Sequence, residues 1–356
     1  MGAIINTANL NLNPEEVKKL SEAIFEKNFK DGDLAQTHVI MINVQYKQKI
    51  LLIGRLGLVG KCVDACSIEE SAEKIPTTEK LWDPIKAGFR LPHCEDDLDQ
   101  LFVTASRKYS AYNYDISGTE EEKFIFMVAD EGLVEMLNRL IYFGDTTAAT
   151  IANGGSLKNG IDISFFNCLD GEWKQVFAIA NPTGVAKKYY VEIPENAEAT
   201  YDDQFDLDIE RTLKTMRAMY NKADKRLIHS GEAYYEMTSS MHANWADFLE
   251  TKSLGMCCSA EEKKGTGLFA YRNIPIIVND YWDRAIASYF DNGTKWDKPH
   301  RVILTTPANV PIGTPDKESL NTLKSFFVDK ESKHYVDAIA KFDVKVLESY
   351  MLMAAY

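Results

Sequence analysis

Read as a bare string of residues, the chain calls for an α+β fold, on three grounds. Residues 119 to 143 sustain one apolar helical stripe for about seven turns. Ahead of them, residues 37 to 66 are strand-like, alternating at Ile42, Val44 and Tyr46 before the apolar run "KILLIGRLGLVGK". Behind them, short strands and short helices follow one another without the βαβαβ order of a parallel sheet. The 356 residues are 45% hydrophobic and 26% charged, an ordinary globular balance. That length suits about two domains and buries a core without staples.

From the N-terminus, residues 13 to 30 spell a short helix. Asn13 is its cap, Pro14 takes the first helical position and Glu16 the third, and Val17, Leu20 and Ile24 line one face before Asp31-Gly32 ends it. In 37 to 66 the pattern predicts two strands joined near "QYKQK". Ten-residue arms would make this a projecting hairpin about 33 Å long. The stretch "LPHCEDDLD" at 91 to 99 reads as a helix N-terminus with acids in its first turn. Thr119 and Glu122 suit a capping box for the long helix. Phe126, Leu133, Leu137, Leu140 and Ile141 form its stripe, and Gly144 stands where a C-terminal cap belongs.

Further on, "IDISFFNCLDGEWKQVFAI" predicts a hairpin turning at Asp170-Gly171. Eight acids (Glu192, Glu195, Glu198, Asp202, Asp203, Asp206, Asp208 and Glu210) lead into a helix over 209 to 222, with Leu213, Met216, Met219 and Tyr220 on one face. Lys214, Arg217, Lys222, Lys225 and Arg226 come after them. Acid first and base last complements the helix dipole, and this reading is preferred to an acidic binding patch. A second helix is expected over 238 to 250. Short strands follow in "LFAYRNIPIIVND" and "HRVILTT", with "WDRAIASYF" helical between them, and "YVDAIAKFDVKVLESYMLMAAY" is strand-like and apolar.

Several function classes fall away on composition. The formal net charge is −13, whereas proteins that grip a phosphate backbone carry basic surfaces. No apolar run nears the ~18 residues of a membrane span. The opening "MGAIINTANLNLNPEE" has no signal-peptide pattern, and Asn6 stands where a myristoylation site at Gly2 needs Ser or Thr. The six cysteines, at 62, 66, 94, 168, 257 and 258, lack zinc-knuckle spacing and read as free thiols of a reducing compartment.

Enzyme motifs fail on spacing. "ILLIGRLGLVGKC" opens like a phosphate loop, but five residues separate Gly54 from Gly60 where the motif has four, and Cys62 replaces the magnesium-binding Ser or Thr. Gly54, Gly57 and Gly60 therefore read as hinge or turn residues, and Lys61 as binding no phosphate. Pro275 within "IPIIVND" argues against a central strand there. His93, Cys94, Glu95, Asp96, Asp97 and Asp99 look like metal ligands, yet the other histidines, at 38, 229, 242, 300 and 334, are scattered. No catalytic, cofactor-binding or metal-binding residue is assigned, no cofactor is implied, and the chain is not expected to be an enzyme.

Three blocks carry a resemblance. The C-terminal third holds "LFAYRNIPIIVNDYWDRAIASYF", "GTKWDKPHRVILTTPANVPIGT" and "FDVKVLESYMLMAAY"; "MLNRLIYFGDTTA" and "LKNGIDISFFNCLDGEWKQ" are the others. Together they resemble major capsid proteins of tailed bacteriophages with the Hong Kong 97-type fold, especially those of phages infecting Bacteroidetes-type hosts. The resemblance implies an N-terminal arm (1–35), an extended β-hairpin loop (36–72) and a peripheral domain (73–190) with its spine helix at 119–143. It also implies an axial domain (191–324) and a return to the peripheral domain (325–356). As function it implies hexamers and pentamers of this chain closing into an icosahedral virion shell around double-stranded DNA, without sequence-specific binding and without a membrane. Portal and head-decoration proteins are implied partners. So is a separate scaffolding protein, because the arm is too short for a built-in scaffolding segment. Assembly would take place in the host cytoplasm. Lys47, Lys49 and Lys61 lie where some relatives cross-link, but no partner Asn or catalytic acid is marked, so no bond is expected. A cellular encapsulating compartment of the same fold, and a metal- or nucleotide-dependent enzyme, are the alternatives.

Overall fold

The computed structural model of the chain describes residues 33–53, 77–94, 120–194, 198–252, 268–316, 322–328 and 333–356. The helix expected over 13 to 30, Gly54, Gly57, Gly60, the Thr119 half of the capping box and Glu195 lie outside them. Two sheets, each with its own helices, build the molecule. In the first sheet β12 (Lys333–Val344) is central. On one side it pairs with β4 (Ile85–Cys94) from Lys333↔Cys94 to Phe342↔Ile85. On the other side it meets β11 (Thr322–Val328) and, at its far end, β10 (Ile312–Gly313). A short helix, α1 (Asp33–Thr37), leads to β1 (Ile40–Met41), which adds to β10 in parallel.

The long helix α2 (Glu120–Phe143) lies on this sheet, within one residue of the expected span. Leu133, Leu137, Leu140 and Ile141 of its stripe are buried, together with Ala129, in one cluster with Ala338, Ala340 and Phe342 of β12; the Phe126 side chain lies outside what is described. Gly144 follows its end, and its N–H donates to Leu140 O at 3.0 Å. This glycine is required by close approach. A Cβ there would lie 2.6 Å from Leu140 O and 2.7 Å from Leu169 O, because Gly171 N donates to Gly144 O at 2.8 Å where the two backbones cross.

The expected hairpin at Asp170-Gly171 is not formed. A 3-10 turn (Ile163–Phe165) precedes helix α3 (Glu172–Ala180), with Gly171 as its N-cap. The turn dipeptide misdirects; Trp173, Val176 and Ala180, all buried, recur at helical rather than strand spacing.

The second sheet runs β5 (Tyr190–Val191), β13 (Met353–Ala355), β9 (Val302–Thr305), β6 (Tyr234–Met237), β8 (Ile274–Val278) and β7 (Ala270–Tyr271). Between β5 and β6 come α4 (Tyr201–Gln204), α5 (Arg211–Lys222) and α6 (Lys225–Ile228). α7 (Ser239–Lys252) follows β6, and α8 (Asp280–Tyr289) follows β8. Three of these helices match the expected spans closely. On α5, Met216 and Met219 are buried with Trp245 of α7 against Tyr235, Met237, Leu304, Met353 and Ala355. Ile303 and Ala354 of the same strands belong to the other cluster, with α2 and α3. Successive residues of a strand point to opposite faces, so β9 and β13 form a wall between two cores. Their continuous apolar runs follow from burial on both faces. Pro275 is tolerated because it lies opposite Ala270 of the two-residue β7, just before pairing with β6 starts at Ile276.

The stretch 37 to 66 departs from expectation. Asn43 and Lys47 adopt positive φ, 67° and 58°, and break the strand. Val44 is 4% exposed but Tyr46 is 61% exposed, so the alternation does not describe one face. Residues 40 and 41 join the first sheet, and Val44 N donates to Thr314 O at 3.0 Å. The hairpin forms instead between β2 (Lys49–Ile53) and β3 (Thr77–Leu81). At 91 to 94 the expected helix start is also replaced, because β4 runs through to Cys94.

Candidate functional site

The residues weighed as chemical groups are dispersed. Lys61, Cys62, Glu95, Asp96, Asp97 and Asp99 lie outside the described residues. His93 and Cys94 end β4, in register with His334 and Lys333 of β12; the sequence did not foresee that pairing of histidine positions. Lys49 Nζ sits 2.8 Å from Glu79 Oε2 across the β2–β3 hairpin, both side chains exposed, and Lys47 Nζ lies 5.2 Å from the Tyr46 ring centre. Among the described residues no group of three His, Cys, Asp or Glu is placed to hold a metal ion, and no helix is long and apolar enough to cross a membrane.

Sequence reasoning missed a buried polar seam on the α2 side of the wall. Leu34 of α1 is buried in the α2 cluster, and this carries Thr37 and His38 inward. Thr37 Oγ1 lies 2.7 Å from His38 Nδ1, and the Tyr234 hydroxyl donates to Thr37 O at 2.7 Å. His38 Nε2 is 3.4 Å from Glu172 Oε2, with both side chains fully buried. Glu172 stands in the first turn of α3, where the helix dipole favours a carboxylate. Asn279 joins the seam to α8: its side-chain oxygen accepts from Tyr281 N and Trp282 N, and its amide donates to Glu236 Oε1 at 2.7 Å. Burial, with Glu236 and Glu172 nearby, pushes the hydroxyls of Tyr142 and Tyr234 well above the usual tyrosine range. The groups are charged or polar, yet they are sealed from solvent and span five elements. That arrangement fixes α1 to the body; it offers a substrate no approach. Removing one partner of a buried polar contact leaves the other unsatisfied, at a cost of about 1 to 3 kcal/mol.

Arg301 is a buried cation apart from the seam. Its guanidinium lies 4.8 Å from the Trp173 ring centre and 5.3 Å from those of Phe143 and Phe177. It donates to Lys298 O at 2.8 Å and to Asp297 O at 3.1 Å. Burial lowers its pKa to about 10, and cation–π contact offsets part of the lost hydration. A groove of about 570 Å³ opens beside it, between Lys174, Lys298, Asp145 and Asp297. Opposed charges line this groove, paired as Lys174 with Asp145 and Lys298 with Asp297.

The surface is where chemistry for partners accumulates. Leu51 and Leu81 of the hairpin are 56% and 47% exposed. Phe205 and Ile209 are exposed among Asp202, Asp203, Asp206 and Asp208. These acids do not serve α5 as the dipole argument expected: its first turn contains none, and only Glu210 reaches its N-cap.

No family of protein sequences matches the chain, and no curated protein matches it either. Solved structures do. A chain of the satellite phage P4 procapsid, in the particle that includes the size determination protein, aligns at TM-score 0.50 and 10% identity over 95% of this chain and 98% of that one. A chain from Gordonia phage Cozz aligns at TM-score 0.53 and 11% identity over 90% and 84%. The capsid of a native GTA particle aligns at TM-score 0.50 and 10% identity over 90% and 88%. These likenesses span most of this chain and most of each neighbour. The protein has the α+β fold of the Hong Kong 97-type phage capsids.

Proposed function

We propose that this chain is a major capsid protein, self-assembling into the hexamers and pentamers of an icosahedral phage head around double-stranded DNA. The observation that carries the reading is the match across 95% of this chain to a procapsid chain that it covers to 98%. An exposed apolar hairpin supports it, because a two-stranded ribbon is marginal alone and gains a covered face from neighbours. On this reading residues 1–35 are the arm, 73–190 the peripheral domain, 191–324 the axial domain and 325–356 the return to the peripheral domain. The extended loop begins near 36, and the β2–β3 pairing argues for moving its boundary with the peripheral domain from 72/73 to 81/82. Portal, scaffolding and head-decoration proteins are the partners, the virion is the place, and assembly occurs in the host cytoplasm. The protein performs no catalysis, and its negative charge leaves packaged DNA mobile.

Expression with a scaffolding protein, followed by electron microscopy, tests this. Hollow, roughly spherical particles are expected. A protein that stays monomeric under every assembly condition and turns over a small substrate would sink the reading. Particles filled with a protein cargo would point to a cellular compartment instead.

A further inference from the structure

Two oppositely charged surfaces stand at the two ends of α5. At its N-terminal end, Asp202, Asp203, Asp206 and Asp208 surround the exposed rings and chains of Phe205 and Ile209. Asp208 is engaged by Lys214 at 2.7 Å, but Asp202 and Asp206 form no ion pair among the described residues. At its C-terminal end, Lys187, Lys188, Lys222, Lys225 and Arg226 are exposed, with Val185 66% exposed beside them. Lys222 Nζ reaches Tyr190 O at 3.3 Å, which brings the 185–190 segment to this end of the helix. Lys187 and Lys188 lie over the rings of Tyr190 and Tyr189. Arg226 pairs with Asp224 at 2.8 Å, and the two lysines at 187 and 188 form no ion pair among the described residues.

Twelve residues of helix separate the surfaces, about 18 Å at 1.5 Å each. That exceeds the screening length of about 8 Å at physiological salt, so neither surface satisfies the other within one subunit. Each carries exposed apolar groups among charges mostly of one sign, with Lys214 among the acids and Asp224, which pairs with Arg226 and feels Lys188, among the bases; the remaining acids of one complement the remaining bases of the other. Resting on the shell reading, we infer that the acidic Phe205–Ile209 surface of one copy docks on the basic surface around Lys187 and Lys188 of the next. Two different patches meeting make a head-to-tail contact, and such a contact closes into a ring when its rotation permits. Charge complementarity also sets register and rejects the reversed approach.

Charge reversal in pairs tests this. One variant carries Asp202→Lys and Asp206→Lys; the other carries Lys187→Glu and Lys188→Glu. Each alone is expected to keep its circular dichroism and melting temperature and to lose rings and shells. The quadruple variant, with both surfaces reversed, regains rings. An equal mixture of the two double variants regains only rings with an even number of subunits, read by native mass spectrometry, because the two variants must alternate. Either double variant assembling like wild type, or a mixture of folded variants that forms no rings, overturns the inference and leaves the shell reading intact. Wild type that never assembles overturns both.

Discussion

The wall between the two cores and the β2–β3 hairpin are both β-structure, and they could hardly be used more differently. Every residue of β9 and β13 is buried, with neighbours on both faces. The hairpin pairs five residues with five and leaves leucines of both strands in solvent. Apolar burial stabilises by about 25 cal/mol per Å², so the wall contributes to the fold of one subunit while the exposed Leu51 and Leu81 of the hairpin contribute little to it. An apolar strand that contributes little where it stands is explained by a surface elsewhere. The lesson is that hydrophobicity alone does not locate a core; covering does.

The comparison breaks most directly by excision. Trp82 N donates to Gln48 O at 2.9 Å, so a short Gly-Ser link can replace residues 49 to 81, at the loss of the bond from Lys80 Nζ to Val346 O. The shortened chain is expected to melt cooperatively within a few degrees of wild type and to form no closed shells, checked by thermal melting and electron microscopy. A chain that unfolds would place the hairpin in the core; normal shells would deny it a role between subunits. On the body side, Trp282→Ala removes a fully buried ring that contacts Trp173 and Tyr142. The expected loss is about 3 to 5 kcal/mol in a denaturant titration, equal in full-length and excised chains.

The smallest effect concerns pH. His300 is buried, its ring against Gln204 O and 2.9 Å from Ser240 Oγ, and burial lowers its pKa to about 4. The folded value lies below the ordinary 6.5, so the unfolded chain takes up the proton first. The stabilising contribution is complete above pH 6.5 and is lost as pH falls from 6.5 to 4, by about 3 kcal/mol at most. His300→Gln should flatten that part of the stability–pH curve relative to wild type, and excision of the hairpin should leave the slope unchanged. An identical slope in wild type and His300→Gln would show that other groups set it.

The helices were the legible part. Periodicity reports which face is covered, and α2, α5 and α8 each bury one. Local conformation and long-range pairing were less legible. Nothing in "IMINVQYK" announces positive φ at Asn43 and Lys47, and the partner of "KILLI" lies 77 to 81, beyond the reach of a turn rule. Ahead of α3, Asp170-Gly171 looks like a hairpin turn because both residues favour turns, but a glycine was needed there for a backbone crossing. The seam was invisible for another reason. His38, Tyr142, Glu172 and Glu236 carry no common spacing; only the folded chain brings them together.

The wall has a consequence for the time course of synthesis. The sheet strand β6 beside it ends at Met237, and the last strand of the wall, β13, starts at Met353. At ribosomal rates of roughly 5 to 20 residues per second, the interval is on the order of ten seconds. Through that interval the nascent chain holds two half-built cores with one shared partition missing, and Met216, Met219, Leu137 and Ile141 have no finished surface to rest on. Both cores then close in the same moment, when one three-residue strand arrives. The chain is therefore most vulnerable to misassociation just before its translation reaches residue 355, and a chaperone that shields apolar surface would act on it then.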